Sequence, residues 1–385
     1  MKMEVGIVSK EQVKPSSPTP SHLRTFKLSL LDQLIPIILF FPINDCSNLS
    51  NIPKRLELLK KSLSETLTLY YPLAGKIKDD LCIDCNDEGT YFVDAQCGGI
   101  AIGVCISHKI LDGVALSSFL KAWATIARGS YEALSIYPNF DATNLFPTND
   151  LWLRDSSMVM WGSLFKKGKS VTRRFVFHAS AIATPKVQAT SSCVQHPKPV
   201  EVVSAFIWKL ATAVSRENNG FQKPSILTHL VNLRRRLAPP LPEYSTGNLL
   251  WRAGAQCMGN DELVLQGLVG EIRGAISKIN GDFGSVEEAD YFGFSSWCNF
   301  GFYEADFGWG TPIWVSSIGS SGSMFMNLVI LPDTRFGDRI EAWVTLDEQD
   351  MARLEFNPEL LTFAYLDPSP LSRQVVSTCH QKPLD

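Results

Sequence analysis

The sequence carries little net charge. Its 36 lysine and arginine residues nearly balance 39 aspartate and glutamate residues, which gives a formal net charge of −3 at pH 7. Proteins that bind nucleic acids neutralise many phosphate groups with basic side chains. The near-balance of charge therefore argues against a nucleic-acid partner. It does not argue against a small anionic ligand, because a local cluster of basic residues is enough to bind one.

The sequence also lacks a secretory signal and a membrane-spanning run. Residues 1–20 are polar and rich in proline, without the apolar core of a signal peptide. The longest apolar run, residues 34–43, contains Pro36 and Pro42 and is too short to cross a bilayer. This run indicates a buried strand. We therefore expect a cytoplasmic protein without a membrane partner.

The nine cysteines follow no disulfide or metal pattern. An odd number of cysteines without a secretory signal is typical of reduced thiols in the cytoplasm. Cys82 and Cys85 form a Cys-x-x-Cys pair, but no second pair follows at the spacing of a zinc site, which needs four ligands. We interpret both as strand residues, and we expect no metal.

Several catalytic signatures are missing as well. The sequence contains no Gly-x-Ser-x-Gly of a serine hydrolase, no Walker loop and no dinucleotide-binding fingerprint. Residues 306–308 read Asp-Phe-Gly, as in the metal motif of protein kinases. None of the other kinase motifs accompanies them, so we reject a kinase.

The chain is long enough for two domains. It has 385 residues, of which 45% are hydrophobic and 19% are charged, as in an ordinary globular protein. Apolar residues at helical spacing predict helices over residues 53–69, 114–128, 200–215 and 261–279. Apolar runs bounded by turn residues predict strands over residues 34–43, 100–106, 174–178, 324–331 and 339–346.

A six-residue segment from His108 to Gly113 is the strongest candidate for chemistry. It follows the apolar run 100–106 and precedes the second predicted helix. A histidine that leaves a strand at a fixed position is suited to general-base catalysis, which needs a neutral imidazole directed at the proton it removes. Asp112 opens the helix, and aspartate is also an ordinary helix N-cap. By itself this spacing does not distinguish a catalytic site from a structural one.

A second unusual segment, Asp306–Gly310, reads Asp-Phe-Gly-Trp-Gly. Together and in this order, the two segments resemble the signature of the BAHD family of acyl-CoA-dependent acyltransferases of plants. The resemblance extends along most of the chain and is closest to the vinorine synthase branch, which acetylates alkaloid hydroxyl groups. Further matching segments are Tyr71–Lys76, Val203–Lys209, Asn232–Arg236 and Gly247–Asn248.

The resemblance implies a two-domain architecture like that of chloramphenicol acetyltransferase, in the α/β class with mixed sheets. An active-site channel would run through the domain interface. Residues 1–141 and about 306–337 would form the N-terminal domain, and residues 142–170 the crossover between domains. Residues 171–305 and about 338–385 would form the C-terminal domain.

The family's reaction is acyl transfer to an alcohol. His108 would remove the proton of the acceptor hydroxyl while its oxygen attacks the thioester of acetyl-CoA, without an acyl-enzyme. Acyl-CoA would be a co-substrate, with no bound cofactor, and the protein would be a monomer. An amine acceptor remains open, because the same base would serve it.

The resemblance also implies structural roles within the two motifs. Asp112, next to Gly113, would pair with Arg234, or as second choice with Arg236, instead of orienting the imidazole. For Asp306 the residues themselves favour a structural role, because Gly308 and Gly310 suit a tight turn and Asp306 could pair with an arginine elsewhere.

Two ligand-binding roles remain to be assigned. Trp309 could donate its indole N–H to the oxyanion of the transition state, or it could serve only to build the turn. A polar loop is the candidate for contacts with CoA. Its residues are Ser245, Thr246, Gly247 and Asn248.

The chain departs from the family at one point. The predicted strand 90–95 runs almost directly into Cys97 and the strand that leads to His108, so a family segment near residues 95–98 is absent. We estimate its length at about fifty residues, equivalent to several strands and loops. The alternative to an active enzyme is therefore a truncated, non-catalytic form.

Overall fold

The computed structural model contains α-helices, β-strands and short 3-10 helices. The described residues are 6–23, 25–27, 34–42, 51–78, 82–96, 100–130, 137–140, 165–192, 194–221, 223–258, 263–278, 289–317 and 324–370. Within these ranges, no helix is both long enough and apolar enough to cross a membrane.

Seven α-helices lie in the described parts of the chain. They are α1 (Ile52–Leu69), α2 (Gly113–Ala127), α3 (Ala179–Gln188), α4 (Pro199–Asn219), α5 (Leu265–Ser277), α6 (Glu348–Leu354) and α7 (Pro358–Phe363). The three 3-10 helices are Ser21–Leu23, Tyr71–Ala74 and Phe302–Glu304.

Seventeen strands lie in the same parts of the chain. They are β1 (Gly6–Val13), β2 (Thr25–Lys27), β3 (Leu34–Phe41), β4 (Lys76–Lys78), β5 (Cys82–Asp84), β6 (Thr90–Gln96), β7 (Ile100–Ser107), β8 (Lys166–Lys167), β9 (Ser170–His178), β10 (Ser225–Asn232), β11 (Leu250–Cys257), β12 (Asp290–Ser296), β13 (Trp314–Ser317), β14 (Met324–Phe325), β15 (Leu328–Leu331), β16 (Arg339–Asp347) and β17 (Ala364–Leu366).

The first half of the chain folds around a three-stranded sheet of order β13-β3-β7, whose strand β13 comes from later in the chain. Helices α1 and α2 pack together in the same half. Apolar residues recur at helical spacing on both helices and make one buried cluster. Trp123 of α2 connects the two helices, because its indole Nε1 donates to the hydroxyl of Ser62 on α1 at 3.0 Å. Its ring also meets Phe307 edge-to-face at 5.0 Å between centroids.

The second half is built around a seven-stranded sheet of order β11-β10-β12-β15-β16-β9-β17. Strand β10 is parallel to β12, and β12 is parallel to β15, whereas the other pairs are antiparallel. Helices α4 and α5 pack on this sheet and share its large apolar cluster. One mixed seven-stranded sheet and one antiparallel three-stranded sheet, each with its own helices and its own apolar cluster, confirm the expected α/β class and the two-domain architecture.

The strands of segment 306–337, which the sequence analysis assigns to the N-terminal domain, belong to three different sheets, and one of them, β14, pairs with β8 in a two-stranded sheet. Strand β13 pairs with β3 of the three-stranded sheet. Strand β15 instead lies between β12 and β16 of the seven-stranded sheet, because its backbone pairs with both of them. The predicted boundary near residue 337 is therefore too late for β15.

The other domain boundaries stay predictions. The predicted crossover 142–170 lies outside the described residues up to position 164, and so do residues 97–99 beside the predicted deletion. The predicted helices are present with shifted ends. For example, α4 continues to Asn219 and α5 is confined to Leu265–Ser277.

We expect Trp123→Ala to destabilise the first half strongly. Trp123 is 4% exposed, so its removal deletes a buried ring together with the hydrogen bond to Ser62. The loss in free energy of unfolding should be about 3–5 kcal/mol. Val187→Ala, at a side chain that is 75% exposed, should stay within about 0.5 kcal/mol of the parent. Urea denaturation measures both values, and equal losses would contradict the packing described.

Candidate active site

His108 is the first residue after β7. Strand β7 pairs with β3 along eight residue pairs, from Leu34 opposite Ser107 to Phe41 opposite Ile100. A turn follows at once, in which the amide of Ile110 donates to the carbonyl of Ser107 at 3.0 Å. The backbone of His108 is therefore held between a paired strand and a closed turn, and its side chain is half-buried.

Asn248 contacts His108 at two points. The imidazole Nδ1 lies 2.7 Å from Oδ1 of Asn248, and the amide Nδ2 of Asn248 donates to the backbone carbonyl of His108. The second bond fixes the direction of the amide, so that its oxygen faces the ring. Because an amide oxygen only accepts hydrogen bonds, Nδ1 carries the proton and the lone pair of the neutral ring is on Nε2.

Burial also keeps the imidazole neutral. Desolvation lowers the pKa of His108 from its ordinary value of 6.5, and this effect outweighs three weaker influences that raise the pKa: a backbone hydrogen bond, the charge of Asp112 and the bond to Asn248. A lowered pKa leaves the ring unprotonated at neutral pH. His108 is therefore in the state that accepts a proton.

Asp112 is fully buried. It is the N-cap of α2, and its Oδ1 accepts from the amide of Ala115 at 2.9 Å. The two carboxylate oxygens also receive the guanidinium of Arg234 in a bidentate pair, at 2.8 and 3.0 Å. The amide of Leu249 donates to Oδ2 at 3.0 Å. These contacts give Asp112 a structural role.

Arg234 connects Asp112 to the predicted CoA loop. Its Nε and Nη2 donate to the carbonyl of Ser245 at 3.0 and 2.8 Å, and Nη2 lies 3.4 Å from the carbonyl of Gly247. Arg236, the second choice as partner, donates instead to the carbonyl of Ile276 at 2.8 Å. The ion pair thus joins the N-terminus of α2 to the segment that holds His108.

Residues 245–247 of the predicted CoA loop are buried, whereas Asn248 is half-buried. Ser245 is 0% exposed and Thr246 is 1% exposed, and Gly247 is buried as well. These residues lie against Arg234 and Asp112, while Asn248 holds His108. Buried side chains offer no surface to the phosphates of CoA. Residues 245–247 therefore support the site, and a contact with CoA stays a prediction for Asn248 alone.

Gly113 is required by a close contact that the sequence analysis missed. A Cβ atom at this position would lie 2.6 Å from the ring of Phe300, closer than packed atoms approach. The hydroxyl of Ser117, one turn further along α2, donates to the carbonyl of Phe300. The contact spans more than 180 positions of sequence, so local pattern carries no signal for it.

The second motif forms a turn at the far end of α2. Oδ1 of Asp306 accepts from the amides of Gly308 and Gly310 at 2.8 and 2.9 Å. Both glycines have positive φ, 101° and 103°, a conformation that side chains disfavour. Arg128, which follows α2, donates to the carbonyl of Asp306 at 2.9 Å. The motif is therefore a structural turn anchored to α2.

Trp309 does not reach His108. Its ring meets Phe41 edge-to-face at 6.3 Å between centroids, and Phe41 pairs with Ile100 at the start of β7. His108 follows the opposite end of this eight-residue strand, roughly 25 Å away at about 3.3 Å per residue. The predicted role of Trp309 as oxyanion donor is therefore contradicted by its position.

Among the described residues, no group of three or more histidine, cysteine, aspartate or glutamate side chains is arranged to hold a metal ion. The site consists of a neutral imidazole, an amide that fixes its tautomer, and a buried ion pair behind them. Such a site can accept a proton from a substrate and return it later.

The profile of the Transferase family matches residues 3–96, 96–280 and 277–361. Limonoid 7-O-acetyltransferase of Citrus sinensis is 43% identical over 460 residues, covering 96% of this chain and 100% of that protein. Stemmadenine O-acetyltransferase of Catharanthus roseus is 34% identical over 427 residues, covering 92% and 97%. Residue 96 ends one matched segment and begins the next, at the point where the sequence predicts the deletion.

Solved structures show the same fold. Vinorine synthase aligns with a TM-score of 0.78 at 31% identity, covering 94% of this chain and 98% of that chain. TRI101 of F. sporotrichioides, complexed with coenzyme A and T-2, aligns with a TM-score of 0.68 at 17% identity, covering 89% and 99%. The second likeness concerns the fold alone.

We expect Asp112→Ala to cost far more stability than loss of an ordinary helix cap. The substitution leaves the charge of Arg234 buried without its partner, a loss of about 3–5 kcal/mol. Asp347→Ala is the matched control, because Asp347 caps α6 through the amide of Gln349 at 2.9 Å. That loss should be about 1 kcal/mol. Chemical denaturation of both variants measures the difference, and similar values would contradict a structural ion pair.

Proposed function

Because this chain belongs to the Transferase family, the BAHD acyl-CoA-dependent acyltransferases, we propose that it moves an acetyl group from acetyl-CoA onto a hydroxyl group of a plant secondary metabolite. The observation that carries the proposal is the neutral imidazole of His108, which Asn248 holds with its Nε2 lone pair available. The chain is an acyltransferase, and the neutral state of this imidazole supports the role of His108 as the general base.

The relatives favour a limonoid as the acceptor. Limonoid 7-O-acetyltransferase is 43% identical to this chain, whereas stemmadenine O-acetyltransferase is 34% identical. The alkaloid acceptor that the sequence resemblance implies is therefore the second candidate. Both acceptors present a hydroxyl group to the same base, so the mechanism does not depend on the choice. An amine acceptor finds no support in the names of these relatives.

In the reaction, one proton moves from the acceptor hydroxyl to His108 and then from His108 to the CoA sulfur. Nε2 of His108 accepts the hydroxyl proton while the hydroxyl oxygen attacks the thioester carbon of acetyl-CoA, which forms the new C–O bond. The tetrahedral intermediate then collapses, the C–S bond breaks, and the CoA sulfur takes the proton back from the imidazolium. The acetyl group passes directly to the acceptor, without an acyl-enzyme. Acetyl-CoA is consumed as a co-substrate in each turnover.

Asp112 and Arg234 act in this scheme without touching the substrate. Their ion pair is buried, and the two charges satisfy each other. They are positioning residues, since they hold the segment that carries Asn248. The channel at the domain interface, the monomeric state and the cytoplasmic location stay predictions. The alternative, a chain that folds but does not turn over, is motivated by the family segment that the sequence analysis expects to be absent near residues 95–98.

We expect His108→Ala to abolish acetyl transfer without unfolding the protein. Loss of a general base lowers turnover by about 10²–10⁴-fold. Release of the CoA thiol from acetyl-CoA, with a hydroxyl-bearing limonoid as acceptor, measures the rate. His178→Ala is the matched control, because His178 is also a buried histidine at the end of a strand whose pKa is lowered by burial. Retained turnover in His108→Ala, with an unchanged melting curve, would falsify the assignment of the base.

Asn248→Ala should change both the rate and its pH dependence. Because the pKa of His108 is lowered, the parent's kcat/KM should be flat through neutral pH and fall only below about 6.5 as the ring becomes protonated. The bond to Asn248 raises this pKa, so its loss should move the acid limb to still lower pH. The plateau should also fall, since the tautomer is no longer fixed.

The control for this profile is Asn219→Ala, at an exposed position at the end of α4. It should leave both plateau and acid limb in place. An acid limb that moves upward in Asn248→Ala, or an unchanged plateau, would contradict the role of Asn248 in holding the neutral imidazole.

A further inference from the structure

A cavity of about 560 Å³ lies in the first half of the molecule, between helix α1 and strand β7. Helix α1 lines it from Ile52 to Leu67, a length of about 22 Å at roughly 1.5 Å per residue. Strand β7 lines it from Ile100 to Ser107, a length of about 23 Å at roughly 3.3 Å per residue. Two different elements therefore give the same length, and the cavity is elongated.

The ends of helix α1 and strand β7 correspond. The guanidinium of Arg55, near the start of α1, lies 5.1 Å from the ring centroid of Trp309. Trp309 meets Phe41, and Phe41 pairs with Ile100 at the start of β7. The cavity therefore follows both elements in the same direction. Its volume and length give a mean cross-section of about 25 Å², which admits one extended alkyl chain but not a fused ring system.

The end of the cavity near the C-terminus of α1 is closed by buried apolar side chains. Leu63 and Leu67 of α1 are 5% and 1% exposed, and Phe119 of α2 is 3% exposed. Leu59, Leu63 and Leu67 follow one another at one-turn spacing, so they form a single apolar stripe along the cavity. Apolar surface of this kind favours a hydrocarbon chain over water.

The opposite end of the cavity opens to solvent. Strand β1 runs beside α1, because the side chains of Ser64 and Lys60 donate to the carbonyl of Lys14 and the carboxylate of Glu11 in turn. Val8, further toward the start of β1, therefore lies near the first turns of α1, and it also lines the cavity. Its side chain is 64% exposed. A molecule in the cavity thus has one end in the core and the other at the surface.

The open end carries the charged residues of the lining, Arg55 and Asp94. Asp94 pairs with Ser9 of β1, next to Val8, so it lies at the same end as Arg55. The N-terminus of helix α1 adds about half a positive charge at this end. Arg55 and the helix end together outweigh the single carboxylate, so the open end favours an anionic group.

We propose that this cavity binds a long-chain fatty acid, with its carboxylate at Arg55 and its alkyl chain along the leucine stripe of α1. An arginine side chain can donate two parallel hydrogen bonds to a carboxylate. The width of the cavity excludes a lipid with two acyl chains. Among the described residues that line the cavity, His108 does not appear, so the site is separate from the proposed base. Fatty-acid binding needs no acyl transfer, and it stands independently of the proposed reaction.

Calorimetric titration of the full chain with palmitate tests the proposal. Methyl palmitate is the matched control ligand, because it keeps the alkyl chain and removes the negative charge. We expect saturable one-to-one binding of palmitate and at least tenfold weaker binding of methyl palmitate. Laurate, whose alkyl chain is shorter, should also bind at least tenfold more weakly than palmitate, because each buried methylene group contributes to affinity.

Substitutions locate the two ends of the bound ligand. Arg55→Gln should weaken palmitate binding at least tenfold and leave the affinity for methyl palmitate within twofold, which shows that the cavity is intact. Arg353→Gln is the matched control, at an arginine of α6 whose side chain is 54% exposed, and it should change neither affinity. Leu63→Trp, which fills the closed end, should weaken binding of both ligands at least tenfold. Leu361→Trp, at an exposed leucine of α7, should weaken neither.

Three results would overturn the proposal. One is no saturable binding of palmitate. Another is equal binding of palmitate and methyl palmitate, which would mean an apolar cavity without an anion site. The third is tighter binding of hexadecyltrimethylammonium than of palmitate, which would mean that Asp94 and not Arg55 determines the charge preference at the open end. These ligands decide the question on the unmodified chain, even if a substituted chain does not fold.

Discussion

The site depends on one buried ion pair, between Asp112 and Arg234. Taking two charges out of water is costly, and the cost is offset only where geometry is good and the remaining polar groups are satisfied. Here the pair is bidentate, the carboxylate also accepts two backbone amides, and the guanidinium donates to the carbonyl of Ser245. The pair therefore fixes the first turn of α2 against a segment more than a hundred positions further along the chain.

That constraint determines the state of the imidazole. The segment held by Arg234 carries Asn248, whose oxygen fixes the proton of His108 on Nδ1. Burial lowers the pKa of the same ring, so that the neutral form prevails. The charges of Asp112 and Arg234 thus neutralise each other within the buried pair.

Sequence reasoning succeeded where the information is local or shared with the family. Periodicity found α1, α2, α4 and α5, and the motif located His108 at the end of a strand. It failed at contacts between distant segments. Neither the ring of Phe300 against Gly113 nor the packing of Trp309 near the start of β7 has a local signature. Residues 245–247 are buried for a related reason. Their polar side chains predict exposure, but the carbonyl of Ser245 accepts hydrogen bonds from the buried Arg234, a contact that local sequence does not show.

The protonation state of His108 tests this account most directly. Nitrogen NMR of the chain labelled with ¹⁵N-histidine resolves the two ring nitrogens of His108, identified by comparison with His108→Ala. The account predicts, at pH 7, a protonated Nδ1 and an unprotonated Nε2, with protonation of the ring only below pH 6.5. A proton on Nε2 at pH 7, or a charged ring at that pH, would contradict it.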